Sequence, residues 1–104
     1  IDISIIEDSI KGNLHSFKIL VDNSSSFAFS VAFRMLGNEE EAEDIVQESM
    51  ITVWRSLNKL RTPEGFKSWL YRIVINKCYD QLRKRKRSPE FIADEKTWNY
   101  LHNQ

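Results

Sequence analysis

Five consecutive cations, Arg83-Lys84-Arg85-Lys86-Arg87, are the densest concentration of chemistry in the sequence. They extend a segment that already carries Arg72 and Lys77. Steps of three and four from Trp69 reach Arg72, Asn76, Tyr79 or Asp80, Arg83 and Arg87, which are neighbours along one face of a helix. That face combines cations for phosphate oxygens, an amide for base edges and flat rings for stacking. Together they describe a binder of nucleic acid, the polyanion that uses all three. The plain alternative is a solvated helix end, where Lys and Arg are favoured by the C-terminal dipole. Five cations in a row exceed what a dipole needs.

Nucleophilic, acid–base and metal chemistry find little footing. His15 and His102 lie far apart in sequence, and neither has a partner at a ligand or triad spacing. Both read as surface histidines. Cys78, the single cysteine, falls on the apolar stripe of a helix, away from a helix start, and reads as a buried structural thiol. The run from Glu39 to Glu43 is rich in carboxylates but lacks the glycine turn and spacing of a calcium loop. Helix-start electrostatics accounts for it. There is no glycine-rich phosphate loop. The reading is of a non-enzymatic protein with no cofactor and no metal.

Composition supports a binding domain. The 104 residues carry 15 basic and 15 acidic side chains, and 41% are apolar, enough for a core. Three glycines and two prolines are too few for an all-β domain with its many turns. One cysteine excludes an internal disulfide and suits a reducing compartment. No apolar run is long enough to span a membrane. The first residue is Ile rather than Met, with no signal pattern after it, so the chain reads as a piece of a longer cytosolic protein.

The zero net charge hides a segregation. Residues 1–54 hold 3 basic and 10 acidic side chains, residues 55–87 hold 11 and 2, and residues 88–104 hold 1 and 3. A basic segment this dense attracts polyanions over about a Debye length, ~8–10 Å. The acidic half leaves a second surface for a basic partner.

The elements that position these groups read as helices throughout, an all-α bundle of four to five. Ser4 to Lys11 forms a short first helix ended by Gly12. Asn13 caps a second, through Phe17, Leu20 and Val21. Asp22-Asn23-Ser24-Ser25-Ser26 reads as a polar break. Phe27 to Leu36 is densely apolar; strand alternation fits part of it, but Gly37 after Leu36 is a helix stop. Asn38 with Glu41 resembles a capping box, and Glu39, Glu40, Glu41 and Glu43 crowd the positive end of the helix dipole. Ala42, Ile45, Val46, Met50, Val53, Trp54, Leu57 and Leu60 then define one buried stripe, with Asp44, Gln47, Glu48 and Thr52 opposite. Thr62-Pro63 starts the last long helix. Its core stripe is Phe66, Leu70, Ile73, Val74, Cys78 and Leu82, and Ser88-Pro89 ends it. Glu90 to Gln104 reads as a short helix or a tail.

Two blocks of sequence carry a family resemblance. Leu36-Gly37-Asn38-Glu39-Glu40-Glu41-Ala42-Glu43-Asp44-Ile45-Val46-Gln47-Glu48 resembles the signature of extracytoplasmic-function sigma factors of bacterial RNA polymerase. So does Phe66-Lys67-Ser68-Trp69-Leu70-Tyr71-Arg72-Ile73-Val74-Ile75-Asn76-Lys77, running on to Asp80-Gln81-Leu82-Arg83-Lys84. Their order and gap make the resemblance specific. It covers about Ile10 to Arg87, the family's second conserved region.

The resemblance implies a division of labour. Asp44, Gln47 and Glu48, with Glu43, Ile51 and Trp54, would dock on the clamp helices of the polymerase β′ chain. The loop from Asn58 to Phe66 and the helix after it would recognise the promoter minus-ten element, capturing a base flipped from the non-template strand, at a cost of a few kcal/mol. The DNA-side residues are then Arg61, Lys67, Trp69, Arg72, Asn76, Lys77, Asp80, Arg83 and Lys84. Trp69 reads equally as core on so amphipathic a helix. An anti-sigma factor is the family's usual inhibitor and a further expected partner, and the expected location is the bacterial cytoplasm, with no membrane insertion. Residues 1–87 form the region-two domain on this reading, and residues 88–104 begin an interdomain linker. The family's helix-turn-helix domain for the minus-thirty-five element is not among these residues. The segment from Phe27 to Leu36 carries only Arg34, where relatives are more basic and tyrosine-rich. The competing reading is a helical interaction module whose basic helix meets an acidic regulator without sequence preference among strands.

Overall fold

The computed structural model describes residues 2–87. Four α-helices follow in order: α1 Ile3–Ile10, α2 Leu14–Leu36, α3 Glu39–Ser56 and α4 Phe66–Arg87. Two 3₁₀ turns, Leu57–Lys59 and Pro63–Gly65, lie between α3 and α4. The helix α2 packs against each of the other three, and α3 packs against α4.

Local signals set most of the boundaries. Asp2 accepts from the Ser4 N–H at 2.9 Å and caps α1. Asn13 Oδ1 accepts from the Ser16 N–H at 3.0 Å and caps α2. Gly37 takes φ of 64°, the left-handed geometry a side chain disfavours, and its N–H returns to the Phe33 carbonyl at 2.8 Å. Asn38 Oδ1 accepts from the Glu41 N–H at 2.8 Å and opens α3.

The serine run behaves differently from its sequence signal. The break expected at residues 22–26 is absent: α2 is one helix of 23 residues, and the expected two helices are joined. Ser, Asn and Asp each cost roughly 0.5 kcal/mol in a helix interior relative to Ala. Burial outweighs that cost. Leu20, Ser24, Ala28, Val31 and Ala32 recur in steps of three and four along the inner face. Ser25 Oγ donates to the Val21 carbonyl at 2.7 Å, so its hydroxyl turns back on its own helix rather than ending it.

Three further expectations are corrected. Glu41 makes only half a capping box, because its carboxylate reaches across to α4 instead of back to Asn38. Trp54 leaves the buried stripe of α3; it is 46% exposed and rests on Phe17 with ring centroids 4.7 Å apart. Thr62 makes no side-chain capping bond, and Pro63–Gly65 is a 3₁₀ turn leading into α4 at Phe66. The Ser88-Pro89 stop and the Glu90–Gln104 tail lie outside the described residues.

The core is one cluster. Ala42, Ile45, Met50, Val53 and Leu57 of α3 and its following turn meet Phe66, Leu70, Val74 and Cys78 of α4 and the inner face of α2. Ile73 and Leu82 are half-buried at its margin. Ser24 and Ser49 are buried too, and among the described residues their hydroxyls have no hydrogen-bond partner. A desolvated, unpaired hydroxyl costs about 1–3 kcal/mol. Ser49→Ala removes that cost and supplies a better helix former, so it should raise stability by about 1 kcal/mol. Urea unfolding followed by circular dichroism checks this; a loss of stability would mean the hydroxyl is bonded after all.

Candidate nucleic-acid and protein interfaces

Burial of Phe66, Leu70, Val74 and Cys78 turns one face of α4 inward and leaves the other in solvent. Arg72, Asn76, Tyr79, Asp80, Arg83 and Lys84 are exposed on the outer side. Lys67 is exposed at the start of α4, and Arg61 in the loop before it. Lys77 is half-buried. Trp69 is also half-buried, packed against the core with its ring 6.0 Å from that of Phe66, as its core reading expects. Asp80 pairs with Arg83 one turn on, with both side chains 61% exposed. A pair that open contributes little to stability.

Two aromatic residues join this surface that helical spacing did not select. Tyr71 is 47% exposed and lies 6.5 Å, centroid to centroid, from Phe27 of α2. Lys67 Nζ stands 5.0 Å from the Phe27 ring centre. With Ser68 and Arg72 these residues line an open groove between α2 and α4. The missed signal was the position of Tyr71, one residue off the row through Arg72, and of Phe27, which reads as core from its apolar neighbours.

The second surface lies on α3. Glu43, Asp44, Gln47, Glu48, Ile51 and Trp54 are all exposed. Ile51, at 51% exposure, and Trp54 put an apolar patch at the end of an acidic row. The rows on α3 and α4 adjoin without sealing each other. Glu48 and Ile45 share a groove with Lys77, Asp80, Gln81, Arg83 and Lys84.

One cross-helix contact joins acidic and basic segments directly. Arg85 donates from Nη2 to Glu41 Oε1 at 2.7 Å and to the Leu36 carbonyl at 2.7 Å, and from Nε to Glu41 Oε2 at 3.0 Å. Gln81 Nε2 donates to the same Oε2 at 2.6 Å. The Arg85 guanidinium, helped by Gln81 and opposed by partial burial, holds the Glu41 carboxyl below its ordinary pKa of 4.5. Burial alone pushes the Cys78 thiol up, which makes it a poor nucleophile. His15 is exposed, and His102 lies outside the described residues. Among the described residues no group of three or more His, Cys, Asp or Glu side chains is placed to hold a metal ion. No described helix is long and apolar enough to cross a membrane.

The sigma-70 region 2 family matches residues 20–88. The chain is 37% identical over 84 residues to the ECF RNA polymerase sigma factor SigW of Bacillus subtilis strain 168, spanning 81% of this chain and 44% of that protein. It is 35% identical over 82 residues to the RNA polymerase sigma factor SigV of the same organism, spanning 79% and 48%. The NMR structure of an engineered region 2 of sigmaE in complex with GTAAAA has a TM-score of 0.76 to this fold at 28% identity, over 86% of this chain and 94% of that one. The chain belongs to the sigma-70 region 2 family, and within it to the extracytoplasmic-function type. It spans about half the length of the curated relatives it matches.

The lowered pKa of Glu41 fixes the sign of a pH effect. A carboxyl whose folded pKa lies below its unfolded value adds stability above the unfolded value and loses it as pH falls through the folded one. Wild type should therefore exceed Glu41→Gln in stability at neutral pH, with the difference vanishing on acidification below 4.5. Denaturant titrations of both proteins across that range check it; a constant difference would contradict the ion pair.

Proposed function

We propose that this chain is a promoter-recognition domain that docks on RNA polymerase through α3 and binds the minus-ten element, as a single strand, through α4. The single observation that carries this reading is the outer row of α4. Arg72, Asn76, Tyr79 and Arg83 are exposed together on a helix whose opposite side is core. Cations, an amide and rings in one row match the needs of an opened strand: neutralisation, base-edge hydrogen bonds and stacking. The related engineered region 2 of sigmaE is in complex with GTAAAA, which supports the choice of ligand.

On this reading Arg61, Lys67, Arg72, Lys77, Arg83 and Lys84 supply phosphate contacts. Asn76 reads a base edge, and Trp69 provides a plate whose back is held by the core. Asp80 holds Arg83 until a phosphate replaces it. Tyr71 and Phe27 extend the aromatic surface toward α2. The loop before α4 takes the flipped base. Glu43, Asp44, Gln47, Glu48, Ile51 and Trp54 meet the basic clamp helices of β′; charge sets the approach, and Ile51 and Trp54 supply the desolvated centre. The work of the domain is binding rather than catalysis, and its place is the bacterial cytoplasm, where the polymerase is. An anti-sigma factor would act by covering these surfaces. Residues 1–87 constitute the domain, and residues 88–104 begin the linker to a minus-thirty-five domain.

Two measurements test this. Selection from a random single-stranded pool on the immobilised chain should enrich one motif, and the enriched strand should bind at least about tenfold tighter than its scrambled version, a difference of about 1.4 kcal/mol. Affinity should fall with salt by a log–log slope of about 0.7 per phosphate neutralised. Equal binding of every strand would instead favour a charge-driven interaction module. Asp44→Arg with Glu48→Arg should abolish capture of the β′ clamp helices without weakening strand binding; equal capture of both proteins would remove the docking assignment.

A further inference from the structure

The run Arg83 to Arg87 reads from sequence as one cationic stretch, of which Arg83 and Lys84 are assigned to the DNA side. The fold divides it. Arg85 follows Val74 by eleven residues and Cys78 by seven, which places it on the inner side of α4, where the apolar stripe gives out. Its side chain is 25% exposed, and that of Glu41 is 26% exposed. Arg83, Lys84 and Lys86 are exposed. We infer that Arg85 is not a strand ligand but a positioning residue: clamped by Glu41 and the Leu36 carbonyl, it holds the last turns of α4 so that Arg83 and Lys84 face the strand.

Three features support this. First, the guanidinium is used on both edges, by both Glu41 oxygens and by a carbonyl from the last turn of α2, which the helix itself leaves without a donor. Second, Glu41 grips α4 twice, at Gln81 and one turn later at Arg85. Third, the end of α4 has reason to fray. Beyond Cys78 no side chain of α4 is fully buried among the described residues, and neighbouring cations repel. A bidentate anchor at this point offsets that repulsion and removes one positive charge from the run. Glu41 thus serves α4, while the carboxylates around it on α3, Glu39, Glu40, Glu43 and Asp44, are exposed.

This inference rests on the strand-binding reading, and the test separates the two. Strand affinity and its salt dependence are measured for wild type, Arg85→Gln, Arg85→Lys, Glu41→Gln and Lys84→Gln, using the strand enriched above. Amide hydrogen exchange of α4 is followed without DNA. A clamp predicts that Arg85→Gln weakens binding about three- to tenfold with the salt slope unchanged. Arg85→Lys keeps the charge but lacks the planar fork, so it should behave like Arg85→Gln. Glu41→Gln should weaken binding as well, although removing an anion alone would strengthen it. Lys84→Gln should lower the slope by about 0.7. Without DNA, exchange over the last two turns of α4 should quicken in Glu41→Gln and both Arg85 variants, but not in Lys84→Gln. The inference is overturned by a lower slope in Arg85→Gln, by near wild-type binding in Arg85→Lys, by tighter binding in Glu41→Gln, or by unchanged exchange. If wild type binds no strand, the function above fails, and unchanged exchange in the variants remains the result that removes the clamp.

Discussion

The burial of four side chains decides what this protein presents to its surroundings. Phe66, Leu70, Val74 and Cys78 are all but fully buried. Side chains of this kind contribute about 1.5–3 kcal/mol each when buried, somewhat less for the smallest. An exposed ion pair on the outer side, such as Asp80 with Arg83, contributes at most about 1 kcal/mol. The apolar term therefore sets the rotation of α4 about its axis, and the charged residues take the directions left to them. The outer row of cations, amide and rings is a consequence of the inner stripe.

The same logic explains what was readable beforehand. Gly37, Asn38 and the periodic apolar residues of α3 and α4 act within one or two turns, so their effects appear in the sequence as spacing. The continuity of α2 is not local. Residues 22–26 look like a break because Ser, Asn and Asp favour turns, and only the helices packed around α2 reverse that preference. The pairing of Glu41 with Arg85 crosses 44 positions, and no spacing rule connects them. Glu41 looked like half of a capping box because it sits at the correct offset from Asn38, yet a guanidinium is a stronger partner for a carboxylate than a backbone N–H. Trp54 falls in the stripe by spacing and Tyr71 is passed over by it for a related reason. Periodicity locates the centre of a buried face well and its edges poorly, and large aromatic residues gather at edges.

The charge segregation in the sequence becomes an adjacency in space. Acidic α3 and basic α4 lie side by side, and Glu48 shares one groove with Lys77, Arg83 and Lys84. Attraction across such a seam would neutralise both surfaces if the side chains closed over it. They do not; of the facing charges, Glu41 and Arg85 alone form a cross-helix ion pair among the described residues. Fields of opposite sign thus coexist on neighbouring helices, each available to a partner of the other sign.

The uninterrupted run of α2 has a mechanical meaning. One stiff rod touches all three remaining helices, so neither the acidic nor the basic row can swivel without carrying the whole bundle along. Silencing such a body by bending it would mean tearing its core. A ligand seated on either row would therefore meet a surface set by the core behind it, and covering that row would hide it without repacking the helices.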